Sequence, residues 1–486
     1  MKNESIGKNA ILNGIKTSLS IIFPLITYPY ASRVLQVENI GKVNFSNSII
    51  SYFVLIAGLG ISTYAIREGA MIRDDKKKLE NFSNEIFTIN FISTFVATIL
   101  LGILIVCWGK LNAYLPLVLI QSLTMWGNLI GIVWMYSILE EYAYMAVRGV
   151  VVHLVALILM FGFVRNKEDY IIYAATSIVA NVGANIFNFI HARKYVHIRL
   201  TAKMNLKKHL RPIMILFATS VTSTIYVNSD KTLLGVLSTD YYVGLYSVAV
   251  NVYSVLKQTL AAIVIVALPR LSNYVAAGLQ KEFYDVATKI IKTLILLLLP
   301  VVVGVMCISE DVILLIGGEN YLEASLALKI LAISLLFSIF AIFCSNVILL
   351  PMKEEATIFK ASIVSAIINI GLTLVLLKNF RHNAAALTTL VAEAYMFMRQ
   401  YRTVKKYYKS GIDIKFIISV FIATGLLGVS ATIFHSLYTA HVILRIILEI
   451  FVSAMIYISA LLIMKNEMVY IILHKIMSKW RENKNE

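Results

Sequence analysis

The stretch TIYVNSDKTLLGVL, Thr224 to Leu237, sets Asp230 beside Lys231 inside an otherwise apolar run. Lys257 stands in VYSVLKQTLAA, Lys16 in GIKTSLS, and Glu393 in a run with no other acid nearby. Such residues can do three kinds of chemistry in an apolar medium. An ammonium can meet an anion, a carboxylate can carry a proton or a sodium ion, and an adjacent opposite pair can neutralise itself. Charges in hydrocarbon are costly and mark function by default, so the first question is whether these runs cross a bilayer.

Composition answers it. Of 486 residues, 59% are hydrophobic and 15% charged, with a mean hydropathy of +0.79, against roughly 25% charged in soluble domains. Runs of about 20 apolar residues, the length of a spanning helix, recur from end to end. The expected fold class is an all-α polytopic membrane protein with fourteen transmembrane helices between residues 11 and 464. No connection between them is long enough to hold a folded domain. The segment MKNESIGKNAILNG lacks the apolar core and cleavage site of a signal peptide, so the first run reads as a retained helix.

Lys and Arg test this map, because cytoplasmic loops carry their excess. With the N-terminus inside, the inside segments hold 32 of the 44 Lys and Arg and the outside loops 9; Lys16, Lys257 and Lys329 fall within spans. Both ends are therefore expected in the cytoplasm. The net charge of +17 follows from this distribution and implies anionic membrane lipid, not nucleic acid. Cys107, Cys307 and Cys344 read as buried inert thiols, and the histidines, His153, His191, His435 and His441 among them, show no metal-ligand spacing. No metal is expected.

The two halves resemble each other. A slide of 203 residues sets Gly41 on Gly244, Ser51 on Ser254 and Arg67 on Arg270. A slide of 212 sets Arg193-Lys194-Tyr195 on Lys405-Lys406-Tyr407, and one of 214 sets EEYAYMAV from Glu140 on EEATIFKA from Glu354. This divides the chain into helices 1–6 (1–208), helices 7–12 (209–410) and helices 13–14 with a cytoplasmic tail (411–486). Six helices per half give both lobes the same polarity and a pseudo-twofold along the membrane normal, with a cleft between them, as in transporters.

The candidates acquire roles from that frame. Lys257 lies about 12 residues, roughly 18 Å, from the inner end of its span at Pro269, too deep for easy snorkelling, so it is expected to face the cleft; the alternative is an ammonium packed on a backbone carbonyl. Lys16 sits lower and either lines the cleft or snorkels inward. Asp230 and Lys231 fall near the outer end of their span, as does Arg33, either lining the cleft or fixing a helix end. Arg67 and Arg270 end spans on the inner side, as an inner gate or as anchors. Glu393 either couples transport to an ion or is neutral and hydrogen-bonded, with a proton or sodium gradient the only cofactor expected. Pro24 and Pro29 interrupt the first helix and allow a gating kink.

YPYASRVLQVENIGKVNFSNSII, GLGISTYAIRE, NSDKTLLGVLSTDYYVGLYSVA and ALPRLS, followed by LLIGGENYLEASLALKILA and AAALTTLVAEAY, resemble the oligosaccharide-lipid flippases. These are the O-antigen and teichoic-acid exporters of the multidrug/oligosaccharidyl-lipid/polysaccharide exporter superfamily. The likeness runs from about residue 9 to 410. One departure is the Leu-Gly-Pro usual after Arg33-Val34, which reads LQVENIG here. The resemblance implies fourteen helices, alternating access, and an undecaprenyl-diphosphate oligosaccharide carried across the cytoplasmic membrane for surface polysaccharide synthesis. It places Asp230-Lys231 at a recurrent family motif on the outer rim. Such a carrier is not an enzyme. It would work as a monomer, with a polysaccharide polymerase as a downstream partner. The alternatives are a lipid-linked peptidoglycan-precursor flippase, a multidrug exporter of the same fold, and a membrane polymerase. The last would need a large loop bearing catalytic groups, and no such loop is seen.

Overall fold

The computed structural model describes residues 6–202, 205–438 and 441–471, with side chains from Phe23 onward. The tail beyond Ile471 and the side chain of Lys16 lie outside the described residues. Helices account for nearly all of the described backbone, which contains no strand. This is what a chain in hydrocarbon must do, because water is absent and every backbone polar group has to be satisfied within its own segment. In chain order the helices are α1 (Ile6–Gly58), α2 (Ile61–Ala70), α3 (Lys76–Cys107), α4 (Leu115–Gly131), α5 (Val133–Ile138), α6 (Tyr142–Phe163), α7 (Tyr170–Ile178) and α8 (Asn185–Ala192). They continue as α9 (Leu206–Leu237), α10 (Asp240–Ile265), α11 (Leu268–Ala276), α12 (Gln280–Gly317), α13 (Ala324–Phe343), α14 (Glu355–Val404), α15 (Ile414–Leu437) and α16 (Val442–Ile463). Among the described residues, 12 helical segments are long and apolar enough to cross a membrane.

Two helices are longer than any bilayer. At 1.5 Å per residue, the 53 residues of α1 and the 50 of α14 would span roughly 75–80 Å, against about 30 Å of hydrocarbon. A single residue breaks each: Gln36 (φ 65, ψ 171) in α1 and Arg381 (φ 50, ψ −127) in α14. Pro24 and Pro29 lie within the first arm of α1, but the non-helical backbone falls at Gln36. Beside the prolines, the Thr27 hydroxyl donates to Phe23 O at 3.0 Å and the Ser32 hydroxyl to Tyr28 O at 2.8 Å. Single π-helical stretches at Val179–Gly183 and Cys344–Leu349 interrupt two further segments.

By compactness the chain forms two units, Met1–Gly244 and Leu245–Glu486. In the first, α3, α4, α6 and α9 pack on α1, and Ile61, Tyr64, Phe82, Met135 and Tyr136 form a core under α2 and α5. In the second, α13 packs on α14 and α12, and the hairpin of α15 and α16 packs on α12 around Leu296, Val420 and Leu461. Of the three thiols, Cys344 is buried and Cys307 half-buried. Cys107 is exposed, against expectation, because it ends α3 beside the turn at Trp108.

The internal repeat leaves structural traces. A Cβ on Gly41 would lie 1.8 Å from Asp240 O, and a Cβ on Gly244 would lie 2.1 Å from Val37 O. Adding 203 to 37 and 41 gives 240 and 244, so the two close approaches are images of each other. The matched tyrosines make kindred bonds to neighbouring, not identical, positions of the paired acids: Tyr195 donates to Glu141 Oε1 at 2.6 Å, and Tyr407 donates to Glu354 Oε1 at 2.7 Å. Both bonds lie outside the spans. Burial and then the Glu141 bond raise the Tyr195 phenol, and the Tyr407 bond holds Glu354 below the ordinary glutamate range.

Candidate functional site

Lys257 and Glu393, singled out separately, are partners. The Lys257 Nζ donates to Glu393 Oε1 at 2.6 Å and to the Tyr253 hydroxyl at 3.3 Å, and Tyr253 donates to the same carboxylate oxygen at 3.4 Å. The ammonium also lies 5.4 Å from the Tyr253 ring centroid, a cation–π geometry. The arrangement follows from helical spacing. Tyr246, Tyr253 and Lys257 lie seven and four residues apart on one face of α10, opposite Thr389 and Glu393, which lie four apart on α14. Tyr246 and Thr389 approach to 3.4 Å. The Glu393 side chain is 2% exposed and that of Lys257 is 27% exposed, so the acid is sealed in while part of the lysine side chain is not.

Glu393 sits on a polar seam that joins the two arms of α14. Ser365 donates to Ala392 O at 2.8 Å, and the Thr373 and Thr388 hydroxyls meet at 2.8 Å. Its repeat mate, Asn181, is exposed in the π-helical stretch and donates to Ser177 O. The repeat therefore does not reproduce the ion pair.

In the first unit, Asp230 is buried and Lys231 half-buried on α9, where that helix packs against the second arm of α1. Lys231 Nζ reaches Asn44 Oδ1 at 3.5 Å, Thr232 donates to the Ser48 hydroxyl at 3.0 Å, and the Tyr52 and Thr232 hydroxyls lie 3.1 Å apart. Asn44, Ser48 and Tyr52 recur every four residues, so one polar stripe of α1 faces the Asp230-Lys231 motif. Lys110 bonds the carbonyls of Gly235 and Val236 at 2.5 and 3.0 Å, closing the end of α9 as a cation at a helix C-terminus should.

Arg33 is exposed on α1, three residues before the break. Arg67 and Arg270 are exposed on the short helices α2 and α11, each stacked on a tyrosine of its own helix: Arg67 on Tyr64 at 5.9 Å and Arg270 on Tyr274 at 5.3 Å. Sequence reasoning missed Tyr253, although its place four residues before Lys257 was a usable signal. It also missed the stripe of Asn44, Ser48 and Tyr52, whose residue types are common on helices.

The fold and these buried charges define a multi-pass, all-helical membrane protein with ionic groups held inside its helical bundles. The chain belongs to the polysaccharide biosynthesis protein family, which matches residues 6–275. A protein of Escherichia coli K12 named as an O-antigen transporter is 22% identical over 272 residues, covering 55% of this chain and 65% of that one. A protein of Shigella dysenteriae with the same name is 21% identical over 376 residues, covering 75% and 91%. Among solved structures, the lipid II flippase MurJ in an inward closed conformation matches 94% of this chain and all of its own at 16% identity, with a TM-score of 0.77. A multidrug resistance transporter of the MATE family reaches a TM-score of 0.54 over 81% of this chain at 14% identity. Each of these names denotes a transporter or a flippase, and none an enzyme.

Proposed function

We propose that this protein is a flippase that carries an undecaprenyl-diphosphate-linked oligosaccharide repeat unit from the inner to the outer leaflet of the bacterial cytoplasmic membrane, for surface polysaccharide synthesis. It works by alternating access. The reading that fits the segment lengths is fourteen spans: the 12 apolar segments with α1 and α14 each crossing twice about Gln36 and Arg381. The spans group as two six-helix lobes and an added pair, with both termini in the cytoplasm.

The carrying observation is the Lys257 ammonium deep in α10, held by the sealed Glu393 carboxylate on a side chain that stays partly exposed. In hydrocarbon such a group marks a polar path. The diphosphate of a lipid-linked glycan is a ligand whose charge it would match, while the isoprenoid stays among the lipid tails. Family membership and relatives named for O-antigen transport support the same cargo. In this reading Asp230-Lys231 and Arg33 serve cargo binding, Arg67 and Arg270 serve an inner gate, and a proton or sodium gradient drives transport. The protein acts as a monomer that delivers cargo to a polysaccharide polymerase.

The test is deletion followed by lipid extraction and leaflet-specific labelling. Accumulation of a diphosphate-linked oligosaccharide in the inner leaflet supports the reading. Accumulation of a lipid-linked peptidoglycan precursor would assign the other flippase class, and unpolymerised glycan in the outer leaflet would assign a polymerase.

A further inference from the structure

Three helices of the second unit bring together charged groups that the path above does not use. Asp311 of α12 accepts two bonds from the Arg445 guanidinium of α16, one of them Nε to Oδ2 at 2.7 Å. The same Oδ2 lies 3.5 Å from Nδ1 of His435, on α15, and that nitrogen lies 3.7 Å from Oε2 of Glu449, on α16. Asp311 and Glu449 are buried, Glu449 at 1% exposure. Neither Glu449 oxygen has a hydrogen bond, nor does the shielded Nδ1 of His435. Glu449 also borders a cavity of about 590 Å³ lined mostly by apolar groups such as Pro300, Gly304 and Ile308, where the Tyr457 hydroxyl is taken by Leu296 O. The other charged pair nearby, Lys329 with Glu310 at 3.1 Å, is closed on itself.

Two carboxylates against one guanidinium leave one negative charge without a counter-ion in a buried place, which is a costly arrangement. A proton on His435 would balance the charge, but it leaves three donor atoms from three helices converging on one point. A divalent ion balances the charge and takes one atom from each, Asp311 Oδ2, His435 Nδ1 and Glu449 Oε2, which lie within 4.8 Å of one another. The spacings of 3.5 and 3.7 Å are close to the roughly 3.4 Å between ligand atoms about 2.1 Å from a tetrahedral centre. One imidazole and two carboxylates form a donor set suited to zinc and its neighbours. Arg445 then acts as the outer group that orients a ligating carboxylate.

We propose that Asp311, His435 and Glu449 bind one divalent ion of the zinc type, and that this ion staples the α15–α16 hairpin to α12. Local sequence spacing concealed the site because its ligands come from three helices. His435 is partly exposed and supplies the way in.

The experiment uses full-length protein purified in detergent without a polyhistidine tag, stripped with chelator and titrated with zinc alone. Bound metal is read by elemental analysis and unfolding by temperature scan. The expected result is one zinc per chain and a rise in unfolding temperature on titration. His435→Gln and Glu449→Gln should each weaken binding by about 10-fold or more, while Glu310→Gln binds as wild type. No zinc uptake by the wild type at micromolar concentration would overturn the proposal, as would uptake that both ligand substitutions leave unchanged. Should a variant fail to fold, the wild-type titration still decides, because an unchanged unfolding temperature refutes the staple.

Discussion

Replacing Lys257 with Met leaves the Glu393 carboxylate, 2% exposed, facing only the Tyr253 hydroxyl at 3.4 Å. Breaking a buried ion pair from one side costs about 3–5 kcal/mol, because the remaining charge is uncompensated. Glu393→Leu removes the other partner, but the Lys257 side chain, 27% exposed, is less sealed than the acid. The loss there should be about 1–3 kcal/mol, the scale of an unmade hydrogen bond. In Lys257→Met/Glu393→Leu no charge remains, and apolar replacement of a buried pair is often neutral or better. The double variant should therefore be more stable than Lys257→Met alone, with a coupling of about 4 kcal/mol or more. Unfolding of detergent-purified protein measures the cycle, and surface glycan in a deletion strain measures transport. Stability should return in the double variant while export stays absent, because the phosphates of the proposed cargo would have lost their cation. A double variant that is stable and exports normally would show that the pair only holds α10 to α14. Equal losses in the two single variants would refute the argument from burial. Lys257→Ala alone, the obvious variant from the sequence, confounds folding with transport.

Gln36 adopts φ 65 and ψ 171, a region nearly reserved for glycine and costing about 1–3 kcal/mol otherwise. Gln36→Gly should raise the unfolding temperature, and an unchanged or lower value would show that the side-chain bond to Arg33 O at 2.7 Å outweighs the strain. Gly41→Ala should destabilise by about 1–3 kcal/mol through overpacking against Asp240 O, and Gly244→Ala by a similar amount; a neutral result for both in thermal unfolding would deny the close crossing. Tyr407→Phe should move the Glu354 titration upward, because the phenol bond is the first cause of its depression. A group with a depressed folded-state value contributes stability above the ordinary glutamate range, near 4.3, and loses it as pH falls through the folded value. Carbon-13 NMR of labelled glutamate across pH 3–6 reads the shift directly, and no movement would break the link.

Helix content, the recurrence of spans and the repeat were legible because each rests on a local rule. Apolar length demands helix, and the offset of 203 that pairs Gly41 with Gly244 reappears as paired close approaches. The breaks at Gln36 and Arg381 were less so. Loops were expected between the spans there, yet one residue per helix suffices when its backbone leaves the right-handed region. Lys257 and Glu393 were each conspicuous as lone charges, but nothing local relates residues 136 positions apart, so their pairing emerged only from the packing of α10 on α14. The same limit hid Asp311, His435 and Glu449, each an ordinary polar residue near a helix end.

The paired glycine crossings bear on how such a chain could move. Residues 37–41 and 240–244 press bare backbone on bare backbone, so a side chain at either glycine would wedge the two segments apart. A seat this close fixes their register, and a cross-link engineered at that spot should leave transport intact.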